Sequence, residues 1–328
     1  MHMADALISP AVGATFWVAS AAALAYSAKK LKERSEENRI PLMGVLAAFI
    51  FAAQMINFTI PGTGSSGHLG GGLILAILLG PWAGFLSMAS VLTVQALFFA
   101  DGGLLALGCN IINLGVPTCF IAYPLIYRPL IGSRPSANRT LIVSLFAAIV
   151  GLQLGAFGVV LETTFSGISE LPFSTFLLAM QPIHFGIGIV EGLVTAAVVS
   201  FVYKARPDFI CTTEATQTPA LTIKQVTVTL LAVALFTGAF VSWFASEYPD
   251  GLEWSMAKVS GREELESPEH GIHAGLAALQ AKTAILPDYG FKGGEDSKAG
   301  TSTSGVIGGF LTLVVVGGIA LLLRRKKA

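Results

Sequence analysis

Long apolar runs separated by short polar stretches dominate the chain. Most of the runs reach about 18 residues or more, the length that a helix needs to cross a hydrocarbon core of roughly 30 Å. We therefore predict an all-α integral membrane protein, a polytopic helical bundle with about nine transmembrane helices. The predicted spans cover residues 11–28, 42–59, 69–80, 82–99, 104–127, 140–161, 174–203, 222–245 and 305–323. The third and fourth are divided at Pro81, because proline has no backbone N–H to donate within a helix.

The composition supports a membrane protein and excludes an ordinary soluble globule. Hydrophobic residues make up 53% of the 328 residues and charged residues only 12%, against roughly 25% in an average soluble domain. The 20 basic and 20 acidic residues give a net charge of zero, so the chain has no basic field for nucleic acid. Its three cysteines have no paired spacing, which indicates that there is no disulfide framework.

Basic residues between the spans predict the orientation of the chain. They cluster in four segments that share one side of the membrane if nine spans are counted: 29–39, 128–139, 204–206 and 324–327. By the positive-inside rule that side is the cytoplasm, and the protein is expected in the plasma membrane. The N-terminus and four loops then lie outside: 60–68, 100–103, 162–173 and 246–304. These loops carry Asp101, Glu162 and Glu170 but no Lys or Arg before residue 258.

A polar linker at 207–221 divides the chain into two predicted modules. Residues 1–206 form a module of about seven spans, and residues 222–328 form a smaller module of two spans joined by the external loop 246–304. That loop holds ten acidic and five basic residues. Its end, 293–305, is rich in Gly, Ser and Thr, which predicts a flexible tether.

The first two residues carry a donor set for a transition metal. The bulky second residue, His2, is expected to protect Met1 from removal, which leaves a free α-amine. That amine, the amide nitrogen of His2 and its Nδ1 close a five-membered and a six-membered chelate ring on one ion. One more nitrogen would complete a square plane, the geometry that Ni(II) and Cu(II) favour. An arbitrary Met-His start is more often a disordered terminus, so this hypothesis depends on the predicted external placement.

His68 is the candidate for the fourth nitrogen. It also falls on the predicted external side, and it follows a glycine-rich segment, 62–67, whose residues permit close backbone approach. A polar residue at the membrane interface is an equally plausible interpretation of this histidine taken alone. Together with His2, it forms a plausible ligand pair.

Three parts of the sequence resemble a known family. They are residues 1–10, the Gly-Thr-Gly-Ser-Ser-Gly-His-Leu-Gly-Gly-Gly segment at 62–72, and the Asn110 and Asn113 pair after Asp101. The family is the substrate-specificity subunit of nickel and cobalt energy-coupling-factor (ECF) transporters, the CbiM/NikM family, and the resemblance covers residues 1 to about 206. It implies that the metal is held by the amine of Met1, the amide and imidazole of His2, and His68. The metal would be the transported substrate, Ni(II) or Co(II), and no cofactor would be bound permanently. The implied partners are a transmembrane coupling subunit and two ATP-binding subunits.

The second module resembles the small accessory membrane subunit of the same systems, the CbiN/NikN type. The resemblance rests on Pro-Asp-Gly-Leu-Glu-Trp at 249–254 and Leu-Pro-Asp-Tyr-Gly-Phe at 286–291, followed by a final span. The whole chain would then be a fused NikMN-type subunit.

Four further polar residues are candidates for supporting the metal. His184 and Glu191 lie two turns apart on one face of a predicted helix, in a span where ionisable groups are expensive. A role beside the metal path and simple interhelical hydrogen bonding both fit them. Asn110 and Asn113, one turn apart, could orient the imidazole or the N-terminal segment, or join helices.

Two histidines in the acidic loop, His270 and His273, are better explained by a solvated helix face than by metal collection. The sequence has no Gly-x-x-x-x-Gly-Lys-[Ser/Thr] motif, so ATP hydrolysis is expected on separate chains. The prediction is therefore a non-enzymatic membrane subunit that captures Ni(II) at the external face for an ATP-driven importer. A cobalt importer of the same family is the alternative, and a metal sensor or a membrane metalloenzyme are alternatives of a different class.

Overall fold

The computed structural model describes residues 2–34, 40–133, 135–206, 220–293 and 297–323. The helices are α1 (Pro10–Arg34), α2 (Ile40–Gln54), α3 (Gly72–Leu79), α4 (Pro81–Val94), α5 (Leu107–Val116), α6 (Arg128–Ile131), α7 (Ala137–Ser166), α8 (Phe173–Ala205), α9 (Ile223–Ala239), α10 (Gly251–Ser260), α11 (Gly271–Thr283) and α12 (Lys298–Leu323). Two short strands, β1 (Phe58–Ile60) and β2 (Ser65–Gly67), form an antiparallel hairpin. The predicted all-α class is thus confirmed, with this hairpin as its small exception.

Six helices in the described ranges are long and apolar enough to cross a membrane, and the protein is a multi-pass membrane protein. They cover Pro10–Glu33, Pro81–Phe99, Leu107–Ile131, Ala137–Ser166, Phe173–Ala205 and Lys298–Leu323. The second continues α4 through the π-helix Gln95–Phe99, and the third joins α5 to α6 through the π-helix Pro117–Tyr127. Two shorter apolar helices, Leu42–Gln54 and Ile223–Ala239, accompany them. The predicted count of about nine is not confirmed.

The differences from the predicted spans have local causes. The span expected at 69–80 is the eight-residue helix α3, which is bounded by Gly71 and Gly80 with φ of 79° and 84°. This left-handed backbone suits glycine and ends helical structure on both sides. The span expected at 42–59 ends at Gln54, since the chain turns there into the β1–β2 hairpin.

Glycines set the spacing between the long helices. A Cβ on Gly192 of α8 would lie 2.5 Å from the Cα of Leu145 on α7, closer than real side chains allow. In the smaller module, a Cβ on Gly305 of α12 would lie 2.7 Å from the Cα of Gly238 on α9. Such close backbone approach is how small residues stabilise helix pairs in membranes. Both α9 and α12 also pack against α2, so the smaller module adjoins the larger one.

The segment 246–304 is mostly ordered, and one prediction about it is wrong. It contains α10 and α11, and α12 already begins at Lys298 within the expected tether at 293–305. The small residues from 298 onward belong to this helix, whose Gly305 makes the close contact just described. The linker residues 207–219 lie outside the described residues, as do 294–296 and the basic tail 324–328.

Candidate metal centre

The N-terminal segment is seated by the side chain of Asn110 on α5. The amide N–H of Met3 donates to Asn110 Oδ1 at 2.8 Å, and Asn110 Nδ2 donates to the Met3 carbonyl at 3.2 Å. The Met3 side chain is fully buried, and its sulfur lies 3.7 Å from Asn113 Nδ2. Asn110 thus contacts the N-terminal segment, as one of its three predicted functions requires.

A second set of contacts holds the segment against the loop before α5. Asp5 Oδ1 accepts a hydrogen bond from the Ala106 amide at 3.0 Å, and the Gly103 amide donates to the Met3 carbonyl at 2.9 Å. Gly103 has no room for a side chain, since a Cβ there would collide with Asp5. Residues 2–8 are thus fixed as a short ordered stretch ahead of α1.

This seating brings His2 against His68. The two rings are stacked, with centroids 4.8 Å apart and an interplanar angle of 8°. Their side chains are only 7% and 8% exposed. Burial lowers the pKa of each imidazole to about 3, so both rings are neutral at physiological pH and able to bind a cation. Met1, the other predicted ligand residue, lies outside the described residues.

The tautomer of His68 is set by the backbone. Its Nδ1 lies 3.1 Å from the Leu69 carbonyl, which can only accept, so Nδ1 carries the proton. Nε2 is then the nitrogen with a lone pair for metal binding. It lies 3.9 Å from Oδ2 of Asp250.

The loop after His68 is held by Glu191, from the middle of the α8 span. Its carboxylate accepts hydrogen bonds from the amides of Gly70, at 2.7 Å, and Gly71, at 2.8 Å. On the other side, Gln54 Nε2 donates to the Gly70 carbonyl at 2.8 Å. Glu191 therefore positions the backbone next to a predicted ligand.

His184, one further candidate, lies below this loop. Its Nδ1 donates to the Met180 carbonyl at 2.8 Å within α8, so the neutral ring carries its lone pair on Nε2. That Nε2 is completely buried and has no hydrogen-bond partner. His184 lines a small cavity together with His68, Asp250 and Gly251. It is near the imidazole pair and does not make the interhelical hydrogen bond that was one of its predicted functions.

Glu162 corrects a sequence prediction. It was expected in an external loop, but it lies in α7 and is buried. Asn113 Nδ2 donates to its Oε2 at 2.6 Å. This hydrogen bond gives the carboxylate a partner inside the bundle, so Glu162 can lie buried in α7, which extends beyond the predicted span.

The segment between α9 and α12 covers the imidazole pair, which the sequence did not indicate. The amide of Ser66 donates to the Pro249 carbonyl at 2.8 Å, and Trp254 Nε1 donates to the Thr63 carbonyl at 3.0 Å. On the other side, the hydroxyl of Tyr289 donates to Asp101. The second module therefore contacts both loops that carry the predicted site.

His273 also differs from its prediction. It was expected on a solvated helix face, but it is 5% exposed, and its Nε2 lies 2.9 Å from the Ile8 carbonyl. The physical reason is that α11 packs over the N-terminal segment, so the imidazole satisfies a backbone carbonyl there. His270 is exposed, as predicted.

The site residues that sequence reasoning missed are Asp101, Asp250 and Tyr289. An open cavity of about 510 Å³ is lined by these three together with His2 and His68. The sequence signal for Asp250 was its spacing from Glu253, which fits a helix start and gives no hint of a neighbour far away in the chain.

Side chains alone do not complete a metal site here. In the parts of the chain that are described, no three His, Cys, Asp or Glu side chains form a group that could hold a metal ion. Two stacked imidazoles therefore require other donors. The chelate predicted from the sequence takes them from backbone nitrogens.

Fold and site together define a class of protein. It is a multi-pass helical membrane protein whose smaller module covers a buried pair of imidazoles. The chain belongs to the CbiM family, described as the cobalt uptake substrate-specific transmembrane region, which matches residues 2–209. Residues 224–325 match the PDGLE domain. The resemblance inferred from the sequence is thereby confirmed.

Individual relatives agree with this family. The "Putative fused nickel transport protein NikMN" of Archaeoglobus fulgidus is 36% identical over 319 residues, 96% of each chain. The "Fused nickel transport protein NikMN" of Rhodobacter capsulatus is 28% identical over 99% of each chain. A crystal structure of a transition metal transporter is 30% identical, with a TM-score of 0.55 over 62% of this chain and 93% of that one. The chain is thus a member of a family of nickel and cobalt transport proteins, a membrane component and not a known enzyme.

Proposed function

We propose that this protein captures Ni(II) at the external face of the membrane as the substrate-binding subunit of an ATP-driven ECF-type importer. The donors are the α-amine of Met1, the amide nitrogen and Nδ1 of His2, and Nε2 of His68. The observation that carries the proposal is the stacked, buried pair of imidazoles held at the N-terminal segment. The nickel transport proteins among the relatives support this choice of metal.

Metal binding at such a site releases protons. The α-amine and both imidazoles must be neutral, and the His2 amide must lose its proton or be strongly polarised. Three of the four nitrogens belong to residues 1 and 2, so displacing the N-terminal segment would release the ion. The Asn110 contacts with Met3 would then be the ones that break.

Transport requires partners. A transmembrane coupling subunit and two ATP-binding subunits would supply the energy, and they would reorient this subunit or open a path through it. Cobalt is the second candidate substrate, favoured by the description of the family, which names cobalt uptake. A metal sensor would bind the ion without transporting it.

Binding and uptake measurements test the proposal separately. Purified His68→Ala protein is expected to lose Ni(II) affinity by more than ~100-fold. Loss of a direct ligand should weaken binding more than loss of a residue that only orients a ligand, which costs roughly 10- to 100-fold. The matched control is His270→Ala, which removes an exposed imidazole. Uptake of radioactive nickel and cobalt into cells with and without the ATPase subunits separates an importer from a sensor and ranks the metals. Unchanged affinity in His68→Ala would remove His68 from the donor set.

A further inference from the structure

Two carboxylates stand beside the two imidazoles, one at each proposed donor nitrogen. Asp101 Oδ1 lies 3.2 Å from His2 Nδ1, and Asp250 Oδ2 lies 3.9 Å from His68 Nε2. A cation that approaches either of the two proposed imidazole donors therefore meets a carboxylate oxygen. Nothing in the sequence motifs assigns a function to either aspartate.

Each carboxylate is held through a contact other than its imidazole. Asp250 Oδ1 accepts hydrogen bonds from the amides of Leu252, at 2.7 Å, and Glu253, at 2.9 Å, and so begins α10. Asp101 Oδ2 accepts from the Tyr289 hydroxyl. The oxygen atoms that face the imidazoles are consequently fixed in position. Both supporting contacts come from the smaller module.

The surrounding cavity points to a polar ligand. The large cavity described above opens onto both aspartates and both histidines. The His2 side chain is only 7% exposed, yet its Nε2 has no hydrogen-bond partner. A buried, unpartnered imidazole nitrogen on a ring that lines the same cavity as two carboxylates is a feature of a site that receives a cation.

We propose that Asp250 and Asp101 are loading ligands, which bind the hydrated divalent transition metal first and pass it to the nitrogen donors. This inference rests on the proposed function. Carboxylates replace water on a divalent cation and offset its charge, whereas nitrogen donors hold Ni(II) more selectively. The smaller module thus contributes one loading ligand directly, as Asp250, and fixes the other through Tyr289. Contact with one or two carboxylates suits an ion that still carries most of its water.

A purely structural function for Asp250 is the competing explanation, because it also caps α10. Substitutions distinguish the two. Asn and Ser cap helices about as well as Asp, but neither supplies a carboxylate. Asp250→Asn and Asp250→Ser therefore keep the start of α10 and remove the loading ligand, and the second variant serves if the first fails to fold.

The test is the rate of Ni(II) binding to the full-length protein in lipid nanodiscs, with nickel chloride as the probe. Stopped-flow absorbance gives the association rate, and calorimetry gives the equilibrium affinity. Asp250→Asn is expected to bind Ni(II) roughly 10-fold more slowly, with an equilibrium affinity close to that of the wild type. Asp101→Asn should act in the same direction, and the double variant should be slower than either.

Glu263→Gln is the matched control, because it removes one negative charge from an exposed position in the same segment. A slower rate in Asp250→Asn that persists at high salt, where long-range attraction is screened, supports direct ligation. An unchanged association rate overturns the inference, as does an equal slowing in Glu263→Gln. A loss of equilibrium affinity without slower association also overturns it, since Asp250 would then be structural. Failure of the wild-type protein to bind Ni(II) would instead refute the proposed function.

Discussion

Glu191 Oε2 accepts a hydrogen bond from the amide of Gly70 at 2.7 Å, which joins the middle of a membrane helix to the loop that carries His68. The second carboxylate oxygen accepts from Gly71 in the same way. Both oxygens of one buried side chain are therefore used to position backbone. A displacement of α8 by a partner subunit would reach the predicted ligand through this contact.

Replacing Glu191 with Gln should weaken Ni(II) binding by ~10- to 100-fold, the range for a residue that orients a ligand. Gln can accept only through its one oxygen, so one of the two amides loses its partner. Titration calorimetry of the purified protein measures the effect. Glu170→Gln, an exposed change of the same chemistry, should leave the affinity unaltered. Equal affinities for both variants would show that the Gly70 and Gly71 amides need no carboxylate.

His184→Ala should also reduce Ni(II) affinity by ~10- to 100-fold, because it removes the buried Nε2 next to His68 and Asp250. The same calorimetry, with His270→Ala as control, measures this. A His184→Ala protein with wild-type affinity and normal thermal stability would mean that the imidazole only fills space in α8.

Adding one residue before Met1 should abolish transport. The α-amine then leaves the five-membered ring, and His2 becomes the third residue, so that an amine, two amides and an imidazole could hold nickel by themselves. The extended protein should therefore still bind nickel, but without depending on His68. Uptake assays and binding assays on the extended protein, with and without His68→Ala, measure both effects. Normal import by a protein whose added residue is shown to remain in place would refute the terminal chelate.

Acidification should open the pocket in the metal-free protein. Burial lowers the pKa values of His2 and His68 from 6.5 to about 3. As pH falls, the two imidazoles are therefore protonated at a higher pH in an opened pocket than in the closed one. The closed state is then fully stable above pH 6.5 and loses stability as pH falls from there toward 3. Hydrogen exchange of residues 3–8, relative to a peptide from α7, should rise between about pH 7 and pH 5. In His68→Gln this rise should be smaller, and a flat wild-type profile would contradict the prediction.

The helices were predictable because apolar length is a strong local signal. The long spans that became α7 and α8 follow directly from it. From the sequence, the short helix α3 could not be distinguished from a full membrane span, because its two ends depend on the backbone dihedral angles of Gly71 and Gly80. Lys298 was likewise misassigned to a tether, because Gly and Ser favour both flexible chains and close helix packing.

For the site, the residues with unusual chemistry were found, but their neighbours were not. His2 and His68 stood out by residue type and predicted placement, and the structure brings their rings together. Asp250, Tyr289 and His273 reach the pocket only through packing between segments far apart in the chain. No local pattern encodes such contacts, so His273 was misassigned to solvent.

The contact between His273 and Ile8 joins residues that lie 265 positions apart. During synthesis, the first eight residues therefore emerge long before the α11 side chain that covers them. Until then the N-terminal segment is held by His68 and by residues 101–113, and the pocket stays open on the side that α11 later covers. Closing so long a loop is entropically costly and late in folding. A ribosome stalled before α11 would thus present a nascent chain that lacks the final span, α12, and whose pocket is still uncapped.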